Sequence, residues 1–575
     1  MRVFIAAVWI VFCMADPIFG EFKILRSEDA EIGDLNFQRF SAGSTVVVAA
    51  AYRVQQDLVI PENVALVFGA GGKFLIGDYV TVRICGGIQG PVSTIFEYSG
   101  ANSQVTFGSE VTVLPQWWGA VGNGVTDDTT AIQRAIDSLE VKGSRLEISK
   151  GVFAVSPRED NEIRWKDGIA LYAVRLRDDI FIQGSGVIKL RDGDYSIVGE
   201  KTNKFPVVFG HDPSVKRRID NCTIDGITVD GNRHNVQPQP VGAVLESFSN
   251  FTMMNCSFLN IHVARLGDSA GNEMSNRFLF LNNRLENTYT LGMFYVESAY
   301  LAFNQAKRVS EFVDLQGGCR NVMIEWNQVK GYNDTWPTMD AIFEVNASEQ
   351  VFIMRNTVSN SSRSVLVSNK EIPPDSANKS NAVCKGVRIT GNDLENALKE
   401  SGATIFVGLH RAHGTQPHED ITIKDNFIKA YGQKYGIFAC ANNITVRDNQ
   451  VEGLESDSYS GIYVHSADDY LDNIRISGNK ITGGGSTGIS VLRPMNFHIN
   501  INEIEAFSSQ SYGILVREAL PGAFKREVLG NSIYGAGRGI RVKGEGMDQD
   551  CKVSGNAFID CGAEQDIIPF CKGTE

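Results

Sequence analysis

From about residue 220 onward, one pattern of apolar and polar positions recurs along the chain. It reads apolar, any, apolar, two residues, asparagine, any, apolar, as in Val322-Met-Ile-Glu-Trp-Asn327-Gln-Val. Alternation with a period of two residues predicts strands, and an asparagine at the following corner tolerates a left-handed backbone. Cys256 takes the asparagine position in one copy. The other copies place there Asn283, Asn304, Asn327, Asn356, Asn392, Asn426, Asn449, Asn479, Asn531 and Asn556.

A second phrase, usually Gly-Ile-x-Val, occurs once in each repeat, as in Gly461-Ile-Tyr-Val and Gly513-Ile-Leu-Val. Strand periodicity at this repeat length, without helical periodicity, predicts an all-β solenoid of about twelve coils. Leucine-rich repeats would show a regular leucine grid, and propeller blades would be longer. Degenerate versions of the phrase occupy residues 243–247, 264–268, 294–298, 313–317 and 343–347.

The segment before the repeats predicts a different beginning. Residues 21–115 are β-rich and suit either a small N-terminal β domain or one or two initial coils. Thr126, Asp127 and Asp128 then provide helix-capping residues, and an apolar stripe from Ala131 to Ile136 follows them. We expect a short amphipathic helix that covers the open end of the solenoid, with the Asp127/Asp128 pair in a capping role.

Residues 119–136 read Gly-Ala-Val-Gly-Asn-Gly-Val-Thr-Asp-Asp-Thr-Thr-Ala-Ile-Gln-Arg-Ala-Ile. This segment resembles the opening signature of the pectate-lyase-like superfamily, which includes polygalacturonases, rhamnogalacturonases and phage tailspikes. The resemblance implies a right-handed parallel β-helix over residues 116–575 that acts on carbohydrate. Asn123 replaces the usual aspartate of Gly-Asp-Gly. The Asn-Thr-Asp and Gly-His-Gly motifs of polygalacturonases are missing from the sequence, so their mechanism does not transfer.

Charge, cysteines and the N-terminus narrow the function classes. The net charge of -13 argues against a general nucleic-acid binder, although it leaves an acidic glycan possible as substrate. Residues 1–20 read as a signal peptide, and no later segment reads as a transmembrane helix, which predicts a secreted or periplasmic protein without membrane insertion. The cysteines form no Cys-x-x-Cys pair, so we expect buried free thiols and no metal site.

Stacking the Gly-Ile-x-Val strands predicts the candidate site. Alternate residues point outward, which places Arg265, Tyr295, Asp314 and Glu344 on four successive coils, with Glu297 beside Tyr295. Adjacent coils would set the carboxyl groups of Asp314 and Glu344 roughly 5 Å apart, the spacing of a retaining glycosidase pair. A polar outer face would also stack two acids by chance, and a register slip of one residue would turn Glu344 inward.

Loop residues complete the predicted site. Asp340 precedes the strand of Glu344, and Trp336 lies in a long loop that would wall a groove. A second loop carries His410, Arg411 and His413, which would hold substrate or act as a base. A solvated loop is the competing interpretation of this second segment.

The favoured hypothesis is a secreted glycoside hydrolase that cleaves a polysaccharide with Asp314 and Glu344, without a cofactor. Tyr295 and Glu297 would assist, and Arg265 with His410 would hold the sugar. One alternative is a polysaccharide lyase or C5-epimerase acting on uronates, which often uses Ca²⁺ or arginine to neutralise the carboxylate. The other alternative is a non-catalytic solenoid for glycan binding or adhesion. The oligomeric state stays open.

Overall fold

A computed structural model supplies the structure of the chain. It describes residues 22–25, 37, 40–100, 102–165, 168–195, 204–211, 218–268, 273–331, 341–369, 383–396, 402–408, 417–455, 458–465, 470–483, 485–505, 510–519, 525–544, 551–562 and 565–569. The predicted signal peptide, residues 1–20, lies outside these ranges. Within them, no helix is long and apolar enough to cross a membrane.

The chain divides into two compact units, Met1–Ser156 with Asp179–Val187 and Pro157–Asp178 with Ile188–Glu575. The boundary predicted between residues 115 and 116 stays a prediction. In the first unit, short parallel strands stack in three sheets, so its beginning is built of coils. Its strands are Phe22–Leu25, Ser44–Val48, Ala51–Val54, Leu58–Ile60, Val64–Phe68, Lys73–Ile76, Thr81–Ile84, Ile88–Gln89, Phe96–Tyr98, Gln104–Phe107, Thr112–Val113, Asn123–Asp127, Arg145–Ile148, Val152–Val155 and Phe181–Gly184.

The predicted helix is present as Thr129–Asp137, after a 3-10 turn at Pro115–Trp118 against which it packs. Asp127 accepts hydrogen bonds from the backbone and hydroxyl of Thr129, at 3.0 and 2.6 Å. The carboxylate of Asp128 accepts instead from the backbone N–H groups of Val121 and Gly122, at 2.7 and 3.1 Å. The capping role predicted for the pair is therefore confirmed for Asp127 only, because Asp128 makes no side-chain hydrogen bond to the helix and binds the preceding segment instead.

The second unit is a right-handed parallel β-helix in which each coil contributes one strand to each of three sheets. Along a coil we call them the first, second and third sheet. First-sheet strands of this unit are Ile219–Asp225, Phe248–Met254, Ser275–Leu281, Val296–Ala302, Arg320–Glu325, Glu349–Met354, Arg388–Thr390, Thr422–Lys424, Thr445–Arg447, Ile474–Ser477, Phe497–Asn500, Arg526–Leu529 and Cys551–Ser554.

The second sheet follows the asparagine corner. Its strands, the first of which begins at Val187 and continues into this unit, are Val187–Leu190, Thr228–Asp230, Ser257–Leu259, Arg284–Glu286, Gln305–Val309, Gln328–Gly331, Thr357–Ser361, Asp393–Asn396, Phe427–Ala430, Gln450–Leu454, Lys480–Gly483, Glu503–Glu505, Ser532–Tyr534 and Ala557–Ile559. Four two-residue strands, Gly193–Asp194 with Val236–Gln237 and His418–Glu419 with Ala441–Asn442, form two additional pairs.

The third sheet has 16 strands and contains the Gly-Ile-x-Val phrases. Its first two strands pair antiparallel and the later pairs are parallel. The strands are Glu162–Trp165, Gly168–Arg175, Lys204–Gly210, Val241–Leu245, His262–Leu266, Leu291–Met293, Val313–Gln316, Phe343–Asn346, Val365–Ser368, Ala403–Val407, Tyr435–Ala439, Ser460–His465, Thr487–Leu492, Tyr512–Ala519, Arg538–Gly544 and Gln565–Pro569.

The predicted asparagine column forms a buried ladder at the corner between the first and second sheets. Asn356 is typical: its amide nitrogen donates to Asn392 Oδ1 at 3.0 Å, and its own Oδ1 accepts from Asn327 Nδ2 at 2.9 Å. The residue that precedes each ladder asparagine, such as Trp326 with φ 56°, adopts the left-handed backbone. The asparagine itself thus satisfies the polar groups of the corner, and its neighbour makes the turn.

The cysteines of the described residues are free thiols, as expected, and five of them are buried. Those five are Cys222, Cys256, Cys319, Cys384 and Cys440.

Candidate active site on the third sheet

The third-sheet strands carry an irregularity that determines which side chains share the outer face. The backbone N–H groups of Phe312 and Val313 both donate to the carbonyl of Ile342, at 2.9 and 3.1 Å. This doubling is a bulge-like insertion of one residue before the regular pairing begins. Glu311, three positions before Asp314, has a carboxylate oxygen close to those of Asp314 and Glu344, although strict alternation would turn Glu311 and Asp314 to opposite faces.

Three carboxyl groups meet at this point. Asp314 and Glu344 are directly paired across neighbouring strands, which is the register that the sequence predicted. One carboxylate oxygen from each of Glu311, Asp314 and Glu344 lies within 4.8 Å of the other two. The three side chains are only 7, 4 and 3% exposed. We call these residues the acid cluster; burial strengthens every charge interaction within it.

Amide side chains hold two of the three acids. Asn346 Nδ2 donates to Glu344 Oε1 at 2.9 Å, and Gln316 Nε2 donates to Asp314. The hydroxyl of Ser368 donates in turn to Asn346 Oδ1, which fixes the orientation of that amide. An N–H donor stabilises the ionised form of a carboxyl group, so Asp314 and Glu344 are arranged as carboxylates.

Glu311 is in a different electrostatic position. Burial, followed by the negative charges of Asp314 and Glu344, raises the pKa of Glu311 well above its usual value. Carboxyl groups this close cannot all ionise without strong repulsion. Of the three acids, Glu311 is therefore the one whose surroundings favour the protonated form.

A histidine and an arginine lie on the preceding coils of the same sheet. His262 is buried, with its ring 5.3 Å from that of Tyr289, and burial and the charge of Arg265 lower the pKa of His262 well below its usual value. The Arg265 guanidinium lies 4.7 Å from the ring centre of Phe205. The strand His262–Leu266, two coils before that of Asp314, thus carries a cation and a histidine whose surroundings favour the neutral imidazole.

Tyr295 and Glu297 do not occupy the predicted outward positions. The strand of their coil is Leu291–Met293, and Gly292 pairs with both Arg265 and Asp314. Tyr295 makes the following corner with φ 48°, and Glu297 belongs to the first sheet. The register predicted for this coil was wrong because two overlapping segments both show strand-like alternation of apolar and polar residues. The strand lies in the earlier segment, and the chain already turns at Tyr295.

The other predicted residues divide into two groups. Arg265, Asp314 and Glu344 lie on the third sheet. Trp336, Asp340, His410, Arg411 and His413 lie outside the described residues.

Sequence reasoning missed Glu311 and His262. Each lies three residues before an outward polar residue, Asp314 and Arg265 respectively. The same offset relates Tyr435 to Phe438, whose rings lie 5.5 Å apart, so this spacing is the signal that would have found them.

Comparison with known proteins finds partial sequence matches and leaves the activity open. A family model described as periplasmic copper-binding protein (NosD) matches residues 407–563. The mannuronan C5-epimerase AlgE5 of Azotobacter vinelandii is 33% identical over 124 residues, which are 20% of this chain and 11% of that protein. AlgE3 of the same organism is 34% identical over 124 residues, or 6% of its length. The chain thus covers only a small part of these curated relatives.

Solved structures with a similar fold include the tailspike of Escherichia coli bacteriophage HK620, at 13% identity and a TM-score of 0.48, covering 77% of this chain and 76% of the tailspike. The A-module of AlgE6 from Azotobacter vinelandii matches at 16% identity and a TM-score of 0.37, covering 77% of this chain and 98% of the module. An exopolygalacturonase from Thermotoga maritima matches at 13% and 0.31, covering 78% and 91%. The β-helix of this chain is shown by its own three parallel sheets.

Proposed function

We propose that the protein is an exported carbohydrate-active enzyme that hydrolyses a polysaccharide at the acid cluster. The observation that carries this proposal is the meeting of three buried carboxyl groups within 4.8 Å, one of them with a strongly raised pKa. Environments that separate the pKa values of neighbouring carboxyl groups supply an acid and a base in one site. The mannuronan epimerase and exopolygalacturonase similarities support a polysaccharide as the substrate.

The proposal gives the three acids complementary roles. Glu311 donates its proton to the glycosidic oxygen as the carbon–oxygen bond breaks, and Asp314 or Glu344 supplies the carboxylate that attacks the anomeric carbon. Water then replaces the carboxylate, and its proton returns to Glu311. The close spacing of the carboxyl groups fits the roughly 5 Å of retaining enzymes rather than the wider gap of inverting ones.

Variants of the three acids test this proposal. Glu311→Gln, Asp314→Asn and Glu344→Gln should each lower the release of reducing ends from a panel of polysaccharides at least about 100-fold, the usual contribution of a general acid or base. Glu349→Gln is the matched control, because Glu349 is an exposed acid on the first sheet that pairs with Arg320 at 3.6 Å. Full activity in Glu311→Gln, or in both Asp314→Asn and Glu344→Gln, with folding intact, would contradict the hydrolytic mechanism.

Uronate elimination or C5-epimerisation is the second candidate, because His262 is held neutral beside Arg265 and the curated relatives are mannuronan C5-epimerases. A neutral imidazole can remove the C5 proton, and a cation neutralises the adjacent carboxylate. In this reaction Glu311, Asp314 and Glu344 would provide the oxygen ligands that Ca²⁺ prefers.

The same assay separates the two reactions. Unsaturated products, or deuterium from solvent at C5, together with loss of activity in His262→Gln and after chelation, would support elimination or epimerisation. Saturated reducing ends and insensitivity to chelator support hydrolysis. A wild-type chain that binds glycans and forms no product would instead indicate an adhesion or binding solenoid.

A further inference from the structure

Aromatic side chains follow the acid cluster along the outer face of the third sheet, on the strands from Ala403–Val407 to Ser460–His465. Phe406 and Phe438 stack with ring centres 4.7 Å apart and an interplanar angle of 7°. Tyr463 stacks on Tyr435 at 5.1 Å and on His465 at 5.2 Å, with interplanar angles of 10°. Each of these rings is partly exposed, and Tyr459 beside Tyr435 is 51% exposed.

This arrangement differs from core packing. Core aromatic rings of the second unit, such as Phe251 and Phe278, are fully buried inside the coils. The outer rings instead present apolar faces and polar edges to water, at a cost that a bound partner would remove. Flat amphipathic rings in a row suit the flat, partly apolar faces of sugar rings.

Positive charges follow the aromatic rings on the next coils. The guanidinium groups of Arg538 and Arg541 both donate to the hydroxyl of Tyr512, at 3.0 and 2.9 Å. The positive charge of Arg517 acts on the Tyr463 hydroxyl and lowers its pKa against the larger effect of burial, and Arg517 pairs in register with Lys543. Four cations thus lie on two adjacent strands of a chain whose net charge is -13. Two guanidinium groups that converge on one neutral oxygen repel each other, and an anion bound between them would relieve this repulsion.

The distances favour a long ligand. Phe438 pairs with Tyr463, and the register continues through Ser490 and Leu515 to Arg541. Arg541 is seven strands beyond Glu344 in this column, about 34 Å at the usual spacing of about 4.8 Å between strands. A polymer that reaches from the acid cluster to the cations would cross every aromatic ring between them.

We propose that the outer face of the third sheet from Phe406 to Lys543 is a binding site for an anionic polysaccharide, with sugar rings on the aromatic side chains and acidic groups on the cations. The inference rests on the proposed function only in taking a polysaccharide as the ligand. It adds the substrate class, a polymer with carboxylate or sulfate groups, and a requirement for chain length.

Equilibrium binding to the full-length Glu344→Gln protein tests the site without turnover. The anionic probes are alginate and polygalacturonate, and the neutral probe is laminarin. In this background Arg517→Gln with Arg541→Gln should weaken binding of at least one anionic polymer about tenfold or more, because each removes charge-assisted contacts. Tyr463→Ala should weaken the same binding, and short oligomers should bind more weakly than the polymer.

Arg475→Gln is the matched control, since Arg475 is an exposed arginine on the first sheet, in the strand Ile474–Ser477 that follows Tyr463 along the chain. The single Arg517→Gln variant removes an exposed charge, so it gives a folded protein if the double variant fails to fold. Equal affinity for laminarin and both anionic polymers, or unchanged affinity in the Arg517 variants, would overturn the inference. Binding as expected with no product from wild type would overturn only the proposed function, and degradation of neutral polymers alone would overturn only this inference.

Discussion

At the scale of single residues, Glu311 is the group whose protonation matters most. Its raised pKa means that the folded chain keeps this proton to a higher pH than the unfolded chain does. The contribution of Glu311 to stability is therefore favourable below its ordinary pKa and is lost as pH rises towards the folded value. A residue that weakens the fold at neutral pH is typical of a site kept for chemistry.

We predict that Glu311→Gln raises the free energy of unfolding at pH 7, because the raised pKa makes the wild-type chain take up a proton on folding, whereas glutamine needs none. The gain should shrink towards zero near pH 4, where Glu311 is protonated in both states. Denaturant unfolding of wild type, Glu311→Gln and the exposed control Glu349→Gln across this pH range measures it. A variant that is less stable than wild type at pH 7 would mean that Glu311 is ionised and compensated in the folded chain.

At the scale of the element, the asparagine ladder joins successive coils through paired bonds. Asn356 accepts from the backbone and amide N–H groups of Asn327 and donates to Asn392 and to the carbonyl of Ile324. Replacing it with alanine removes these bonds and leaves buried polar groups of two neighbouring coils unpaired. We predict that Asn356→Ala lowers the free energy of unfolding by about 2–4 kcal/mol.

Cys256 provides the comparison for that measurement. Its backbone N–H already donates to Asn283 Oδ1 at 2.9 Å, and its sulfur lies 3.5 Å from the carbonyl of Ile224. In the coil of Asn283 the amide nitrogen contacts the equivalent carbonyl, that of Met253, at 3.0 Å. Cys256→Asn should therefore leave stability unchanged or raise it. Equal losses in Asn356→Ala and Cys256→Asn would show that packing, rather than the hydrogen-bond ladder, sets the stability of the corner.

The sequence predicted the elements better than their exact register. The ladder was predictable because a buried polar residue that recurs at one position of an apolar repeat needs hydrogen-bond partners in every coil. The pairing of Asp314 with Glu344 was predictable in the same way, because the two residues hold equivalent positions in successive coils. Glu311 was missed because it lies an odd number of positions before Asp314, and strict alternation would turn the two side chains to opposite faces. Tyr295 was misplaced because two segments of its coil alternate equally well.

At the scale of the whole molecule, the outer face of the third sheet runs from His262 and Arg265 through the acid cluster and the aromatic rings to the cations near Arg541. These residues are widely separated in sequence, and the coil register alone brings them onto one face. The proposed polymer site therefore combines a local positive end with a chain whose net charge is -13. The local cations attract a polyanion at short range, whereas the net negative charge of the chain repels it at longer range.

This opposition predicts a salt optimum for binding. In about 10 mM salt the screening length is about 30 Å, so the whole net charge repels an approaching polyanion, whereas at about 100 mM it falls to about 10 Å and only nearby cations act. Affinity of the Glu344→Gln protein for the preferred anionic polymer should rise between these conditions and fall again at higher salt. In the double variant Arg517→Gln with Arg541→Gln, the fall in affinity at high salt should be largely absent. Affinity that decreases steadily from the lowest salt onward would mean that the cations on the third sheet outweigh the net charge at every distance.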